Sequence, residues 1–227
     1  MKRVITVLLA VLLALSLAAC GSRVETKKLA GTWTCTIDVT DRMNAAVEQA
    51  LGLSAADGAA KMPLQLVLTV TEDGAYTLRY DSDAVRTALD AYAAALHPAA
   101  VESVYAAAEE QGFSREEYDA AMEKAGITMD DMVAAIFAGV DEEELLSLLT
   151  GRSAAITGYC RAESGQLYLA DTAAELAETA DCLSYTLSDG TMTWTDAQGE
   201  LSSQLTEQEQ ELLRVPLTWT KRAEESK

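Results

Sequence analysis

The stretch Gly31-Thr32-Trp33-Thr34-Cys35-Thr36-Ile37-Asp38-Val39-Thr40 alternates residue by residue. Trp33, Cys35, Ile37 and Val39 fall on one side, and Thr32, Thr34, Thr36 and Asp38 on the other. A period of two, rich in β-branched and aromatic side chains, predicts a strand with one buried face. The pattern recurs along the chain. Leu64, Leu66, Leu68 and Val70 share a face, as do Tyr76, Leu78 and Tyr80. Asp73-Gly74 lies between the two runs, and glycine accepts the positive φ that a tight hairpin needs. Segments 153–162 and 166–171 flank Ser164-Gly165. Segments 182–188 and 191–196 flank Asp189-Gly190, with Leu183, Tyr185 and Leu187 facing inward beside Met192 and Trp194. Val215, Leu217 and Trp219 alternate in a last strand, whose start Pro216 makes irregular. Eight strands joined mostly as neighbouring hairpins predict an antiparallel meander. Closing it into a barrel removes the exposed edges.

Between strands three and four the period changes. Over 82–151, Val85, Leu89, Tyr92 and Leu96 recur at helical spacing, and Val101, Val104, Tyr105 and Ala108 repeat the rule. Gly112, Gly126, Gly139 and Gly151 mark stops, and Ser114 with Glu117 forms a capping-box pattern. The region reads as four or five short helices, Pro98 separating the first two. Smaller helices are expected at 41–51, with Met43, Val47 and Ala50 on one side, and at 172–179, capped by Thr172 and Glu175. Thr206 with Glu209 caps one more turn. The fold class is therefore α+β: an eight-stranded antiparallel barrel with an all-helical insert.

The N-terminus is of another kind. Lys2 and Arg3 precede an apolar run over 4–17, broken by Thr6 and Ser16, and Leu17-Ala18-Ala19-Cys20 closes it. A basic start, a short apolar core and small residues before a cut site describe a cleavable signal peptide over 1–19. The run is shorter than the ~20 apolar residues of a spanning helix. Leu17-Ala18-Ala19-Cys20 resembles the lipobox of bacterial lipoproteins. The resemblance implies a diacylglycerol on the Cys20 thiol and acyl chains such as palmitate. Multiple chains make such a tether durable, and they would hold the protein on the outer face of the cell membrane. Residues 20–28 read as the lipidated tether, 29–222 as the barrel domain with 82–151 as its insert, and 223–227 as a polar tail.

The chain has 227 residues, 17 basic and 36 acidic, for a formal charge of −19. Such acidity opposes nucleic acid and anionic lipid surfaces as partners. An apolar share of 49% excludes a disordered chain. Of the 4 cysteines, Cys20 goes to lipid. Cys35, Cys160 and Cys182 then allow at most one internal bridge. Cys35 and Cys160 both fall on inward faces near one barrel end and are the candidate pair, buried free thiols being the alternative.

Gly31-Thr32-Trp33 at the start of the first strand resembles the G-x-W of lipocalin-like families. In that family the Trp lies across the closed end of the barrel, and a basic residue near the last strand often packs on it. Lys221 and Arg222 occupy that place here. The resemblance spans roughly 29–81 and 152–222 and implies an internal ligand site. The helix after the first strand is closer to fatty-acid-binding proteins, another barrel family with internal ligands. The helical insert and the lack of a convincing T-D-Y signature depart from the lipocalin pattern.

Little else suggests chemistry. His97, beside Pro98 at an expected helix end, lacks the oriented nucleophile and partner that a catalytic base needs. Acidic pairs at 109–110, 116–117 and 130–131 and the acidic run 141–144 mostly fall near helix starts, where negative charge suits the dipole. Asp81-Ser82-Asp83 is too short for a calcium loop, so no metal or other cofactor is expected. The two short helices over 114–139 echo a helix-turn-helix, which export and acidity oppose. Tyr76, Tyr80, Tyr185, Trp194 and Trp219 face inward with Trp33 and could line an apolar pocket or fill a core. The chain is expected not to be an enzyme. Two functions fit: a membrane-tethered barrel binding a small apolar or amphipathic ligand, or an envelope interaction protein with a solid barrel and the insert as docking surface.

Overall fold

The computed structural model describes residues 25–53, 60–137, 145–147, 149, 155–178, 182–198 and 215–223. The Leu17–Cys20 lipobox, the Thr206–Glu209 cap and the 223–227 tail beyond residue 223 lie outside them. Strands β1 (Gly31–Asp38), β2 (Pro63–Val70), β3 (Ala75–Tyr80), β4 (Ile156–Glu163), β5 (Gln166–Ala170), β6 (Cys182–Ser188), β7 (Thr191–Gln198) and β8 (Leu217–Lys221) follow in chain order. They form a closed antiparallel barrel in which each strand pairs with its sequence neighbours and β8 returns to β1. Helix α1 (Thr40–Leu51) connects β1 to β2, and α2 (Ser82–Glu110), α3 (Arg115–Ala125) and α4 (Met129–Phe137) lie between β3 and β4 in sequence.

The chain divides into two compact units. The first takes 1–35, 65–80 and 154–227, and the second takes 36–64 and 81–153. Residues 36–64, with the helix expected over 41–51, thus fall in the same unit as the helices that follow β3. The reason is bonding between α1 and the later helices. Tyr92 donates its hydroxyl hydrogen to Asn44 Oδ1 at 2.6 Å, and Arg42 donates to the Leu149 carbonyl at 2.9 Å.

Within the helical unit, 82–110 is one helix of 29 residues with Pro98 inside it, where sequence predicted a break. Proline removes the N–H that would bond the Ala94 carbonyl. Ala94 and Pro98 are both exposed, so that carbonyl faces water, while Tyr92, Leu96 and Ala100 bury the opposite stripe. The surrounding alanines favour continuation. His97 therefore lies within α2 rather than at a helix end. The Ser114–Glu117 capping box forms as expected. A second box, missed in the sequence, opens α4: Asp131 N–H donates to Thr128 Oγ1 at 3.1 Å, and Thr128 N–H donates to Asp131 Oδ2 at 2.8 Å. The Thr128 hydroxyl also donates to Asp131 Oδ2 at 2.6 Å, and this bond first, then that from the Thr128 N–H, lowers the Asp131 carboxyl below its usual range.

Other boundaries shift for local reasons. Thr172 and Glu175 exchange their capping bonds at 3.2 and 3.3 Å, but only a 3-10 turn at Glu175–Ala177 follows. Val215 precedes β8 and is exposed, so the last strand begins at Leu217. Residues 25–28, read as part of the tether, form a helical turn together with Leu29. Buried Thr26 accepts the Ala162 N–H on its Oγ1 at 3.0 Å, which fastens that turn to β4.

The barrel has two dissimilar rims. At one, β2–β3, β4–β5 and β6–β7 are joined by tight turns at 71–74, 164–165 and 189–190. At the other, the connections β1–β2, β3–β4, β5–β6 and β7–β8 are all longer.

Candidate functional site: the inner wall of the barrel

Residues opposite one another in an antiparallel ladder share a face. Following the register from β8 round to β2 identifies the inner wall. Trp219 faces Met192, Leu217 faces Trp194, and Trp194 faces Tyr185. Leu183 faces Leu167, and Cys160 faces Leu169. Leu78 faces Ile156 on one side and Leu68 on the other. Tyr80 faces Leu66, and Tyr76 lies between Val70 and Gly158. The inward assignments of Tyr76, Tyr80, Tyr185, Trp194 and Trp219 agree with this register.

The wall is unevenly packed. Trp33, Leu66, Leu68, Met192 and Trp219 are all buried, Leu68 at 4% exposure and Trp219 at 0%. Across the ladder, Tyr76, Leu78, Tyr80, Ile156 and Leu169 on β3, β4 and β5 are only half-buried. Gly158 contributes to this face: a Cβ there would lie 2.5 Å from the Ala170 carbonyl oxygen and 2.9 Å from Tyr76 Cε1. Only glycine leaves room for the tyrosine ring against the strand.

The tight-turn rim is closed by the N-terminal segment. Trp33 donates its indole N–H to the Leu29 carbonyl at 2.7 Å. Lys221, opposite Trp33 in the β1–β8 ladder, holds its ammonium 5.3 Å from the indole centroid. Gly31, at φ +126°, makes space for this lysine, since a Cβ there would stand 2.7 Å from Lys221 Cε. Arg222 instead donates to Gln65 Oε1 at 3.1 Å. Of the two basic residues offered by the sequence, Lys221 is the one on the tryptophan.

Beside this closure the rings of Trp194 and Trp219 lie 4.7 Å apart at 46°. Their indole N–H groups are buried without a hydrogen-bond partner among the described residues, as is Glu25 Oε2. Burial raises the Tyr185 phenol above its ordinary range, and the charges of Glu25 and Cys160 add to the shift. Glu25 thus belongs to the same region. It escaped the sequence reading because a five-residue helical turn carries no periodicity.

Cys35, Cys160 and Cys182 are buried, and none is joined in a disulfide. The proposed Cys35–Cys160 bridge is absent for a geometric reason. β1 and β4 are three strand spacings apart in the barrel order, each about 4.8 Å, whereas bridged Cα atoms lie within about 7 Å. Burial pushes the Cys160 thiol up to about 12 and raises Cys35 as well. Among the described residues, no group of three or more His, Cys, Asp or Glu is placed to hold a metal. His97 Nε2 sits 3.0 Å from Asp130 Oδ1 on an exposed face, joining α2 to α4. No described helix is long and apolar enough to cross a membrane.

Compared with known proteins, the chain matches no family model, no curated protein and no solved structure.

Proposed function

We propose that this chain is an envelope lipoprotein, anchored through Cys20, whose lipocalin-like barrel binds a small apolar or amphipathic molecule. The observation that carries the reading is the half-buried inner face of β3–β5. Tyr76, Leu78, Tyr80, Ile156 and Leu169 point inward yet keep contact with solvent. An apolar concave wall with a few polar groups is the general form of a small-molecule site. The Gly31–Trp33–Lys221 cluster supports the lipocalin-like part of the reading, since it has the components of that family's closed end. Leu17-Ala18-Ala19-Cys20 after a short apolar run supports the anchor.

A second reading has its own observation. Helix α3 buries none of its side chains, and Phe113 and Ile127 at its two ends are exposed at 46% and 41%. On that reading the helices dock a protein partner in the envelope and the barrel is a scaffold.

Native mass spectrometry of the full chain carrying Cys20→Ser, purified from its own host, separates the two. A stoichiometric small molecule that leaves on denaturation supports the binding barrel and gives the ligand's mass. An apo mass under all gentle conditions refutes it. For the anchor, the wild-type chain should take up labelled palmitate and sediment with membranes, and Cys20→Ser should do neither.

A further inference from the structure

Helix α3 is held on the C-terminal half of α2 by one exposed polar cluster. Arg115 donates to both carboxylate oxygens of Glu102, at 3.2 and 2.7 Å, and to Glu109 Oε1 at 3.2 Å. Its guanidinium lies 4.7 Å from the centroid of the Tyr105 ring. Tyr105 in turn donates its hydroxyl hydrogen to Asp119 Oδ1 at 2.9 Å and meets the Tyr118 ring edge-on at 6.4 Å. No side chain of α3 is buried in the contact.

The elements around α3 have anchors of their own. The first half of α2 buries Val85, Ala88, Tyr92 and Leu96, and Tyr92 ties it to Asn44 of α1. Helix α4 buries Val133 and meets α2 where Asp130 reaches His97. Nor does the backbone of α3 lean on its neighbours. The Ser114–Glu117 box closes its start. At its end, Gly126 and Ile127 return their N–H groups to the Glu123 and Met122 carbonyls at 3.1 and 3.0 Å. Lifting α3 from α2 therefore strands no buried donor or acceptor at either terminus.

What remains to hold it is electrostatic. The side chains of Arg115, Glu102 and Glu109 are 45%, 63% and 54% exposed, and ion pairs so exposed are screened by salt. We infer that α3 is a latched strap, released from α2 when salt screens Arg115 from Glu102 and Glu109, while the first half of α2 stays folded. The surface it bares, Tyr105 between two carboxylates, is one that holds a guanidinium in the latched state. The device belongs to the helical unit and stands whether or not the barrel binds a ligand. Once detached, a helix of 11 residues is too short to keep its hydrogen bonds in water. Release is therefore read as lost amide protection over 115–125.

The test is hydrogen exchange, read by mass spectrometry, on the full chain carrying Cys20→Ser in about 20 mM and about 1 M NaCl. At the higher salt, exchange over 115–125 should rise about tenfold, with 82–96 staying within about twofold. Arg115→Gln should show the raised rate already at low salt and lose the salt response. Arg115 is the first residue of α3, where a positive charge opposes the helix dipole. In a helix held by other means, Arg115→Gln would therefore slow exchange, the opposite sign. Glu102→Gln changes nothing within α3 and should reproduce the rise from the α2 side. Unchanged protection over 82–96 certifies that either variant is folded. Protection of 115–125 that either variant leaves at the parent's level, or increases, overturns the latch. A salt response that survives Arg115→Gln overturns it as well. So does exchange that rises together over 82–96 and 115–125, because the helical unit then opens as one body.

Discussion

Leu68 and Leu78 face one another across the β2–β3 ladder on the inner wall, yet Leu68 is 4% exposed and Leu78 is half-buried. Truncating each to alanine measures whether this wall is filled. Leu68→Ala removes a side chain enclosed by protein and leaves a cavity, at a cost of about 3 kcal/mol. Leu78→Ala removes only partial burial and leaves no enclosed void, so about 1 kcal/mol is expected. Both changes swap the same residue types in paired strand positions, so differences in strand propensity cancel. With a urea slope of about 2 kcal/mol/M, the midpoint should fall by about 1.5 M for Leu68→Ala and about 0.5 M for Leu78→Ala. The chain's 3 tryptophans are Trp33, Trp194 and Trp219, all on barrel strands. Their emission therefore follows the barrel and not the helices. A Leu78→Ala loss equal to that of Leu68→Ala would refute the reasoning, because the β3 face would then be packed shut.

Four further outcomes are expected. Cys160, raised to about 12 by burial, should react with iodoacetamide at pH 8.5 about a thousandfold more slowly in the folded than in the unfolded chain. Rapid labelling in native buffer would contradict its burial. The same shift has a pH consequence: the folded thiol keeps its proton where the unfolded one loses it. Stability should hold below about pH 9 and decline as pH climbs toward 12, with the raised Tyr92 and Tyr185 adding to the loss; a flat alkaline limb in thermal melts would count against this. Trp33→Phe keeps the ring but strips the Leu29 carbonyl of its donor, at about 1.5 kcal/mol, read as a lowered urea midpoint with Lys221 unaltered. Gly158→Ala drives a Cβ to 2.5 Å from the Ala170 carbonyl, a backbone atom unable to step aside, and should cost about 2 kcal/mol or more by the same assay.

The barrel was legible because its signals are local. Alternation in 31–38 and 64–70, and glycine turns at Gly74, Gly165 and Gly190, specify hairpins before any long-range contact exists. Those hairpins match the observed ladder, including the inward face of Tyr76, Leu78 and Tyr80. What sequence missed depends on tertiary surroundings. Pro98 reads as a stop, yet Ala94 and Pro98 both face water, and the helix runs on. The 25–29 turn has no period to detect and is held by Thr26 and Leu29. Cys35 and Cys160 share an inward face, but the circumference between β1 and β4 keeps them apart. Within the candidate site, the residue types were visible and the uneven packing was not, because burial depends on which neighbours fill the space.

The pairing of β1 with β8 has a consequence for how the protein comes to exist. Thr34 bonds the carbonyl of Thr220 across 186 residues of sequence. Hairpins can form as soon as their strands emerge, but the ring closes only once the final strand arrives. Until then the first and last strands each offer an unpaired edge, the form most open to pairing with other chains. Loop-closure entropy makes so distant a contact slow to form. Deleting 217–223 should therefore do more than shorten the chain. It would hold the protein permanently in its unclosed state, with two edges where the finished barrel has none.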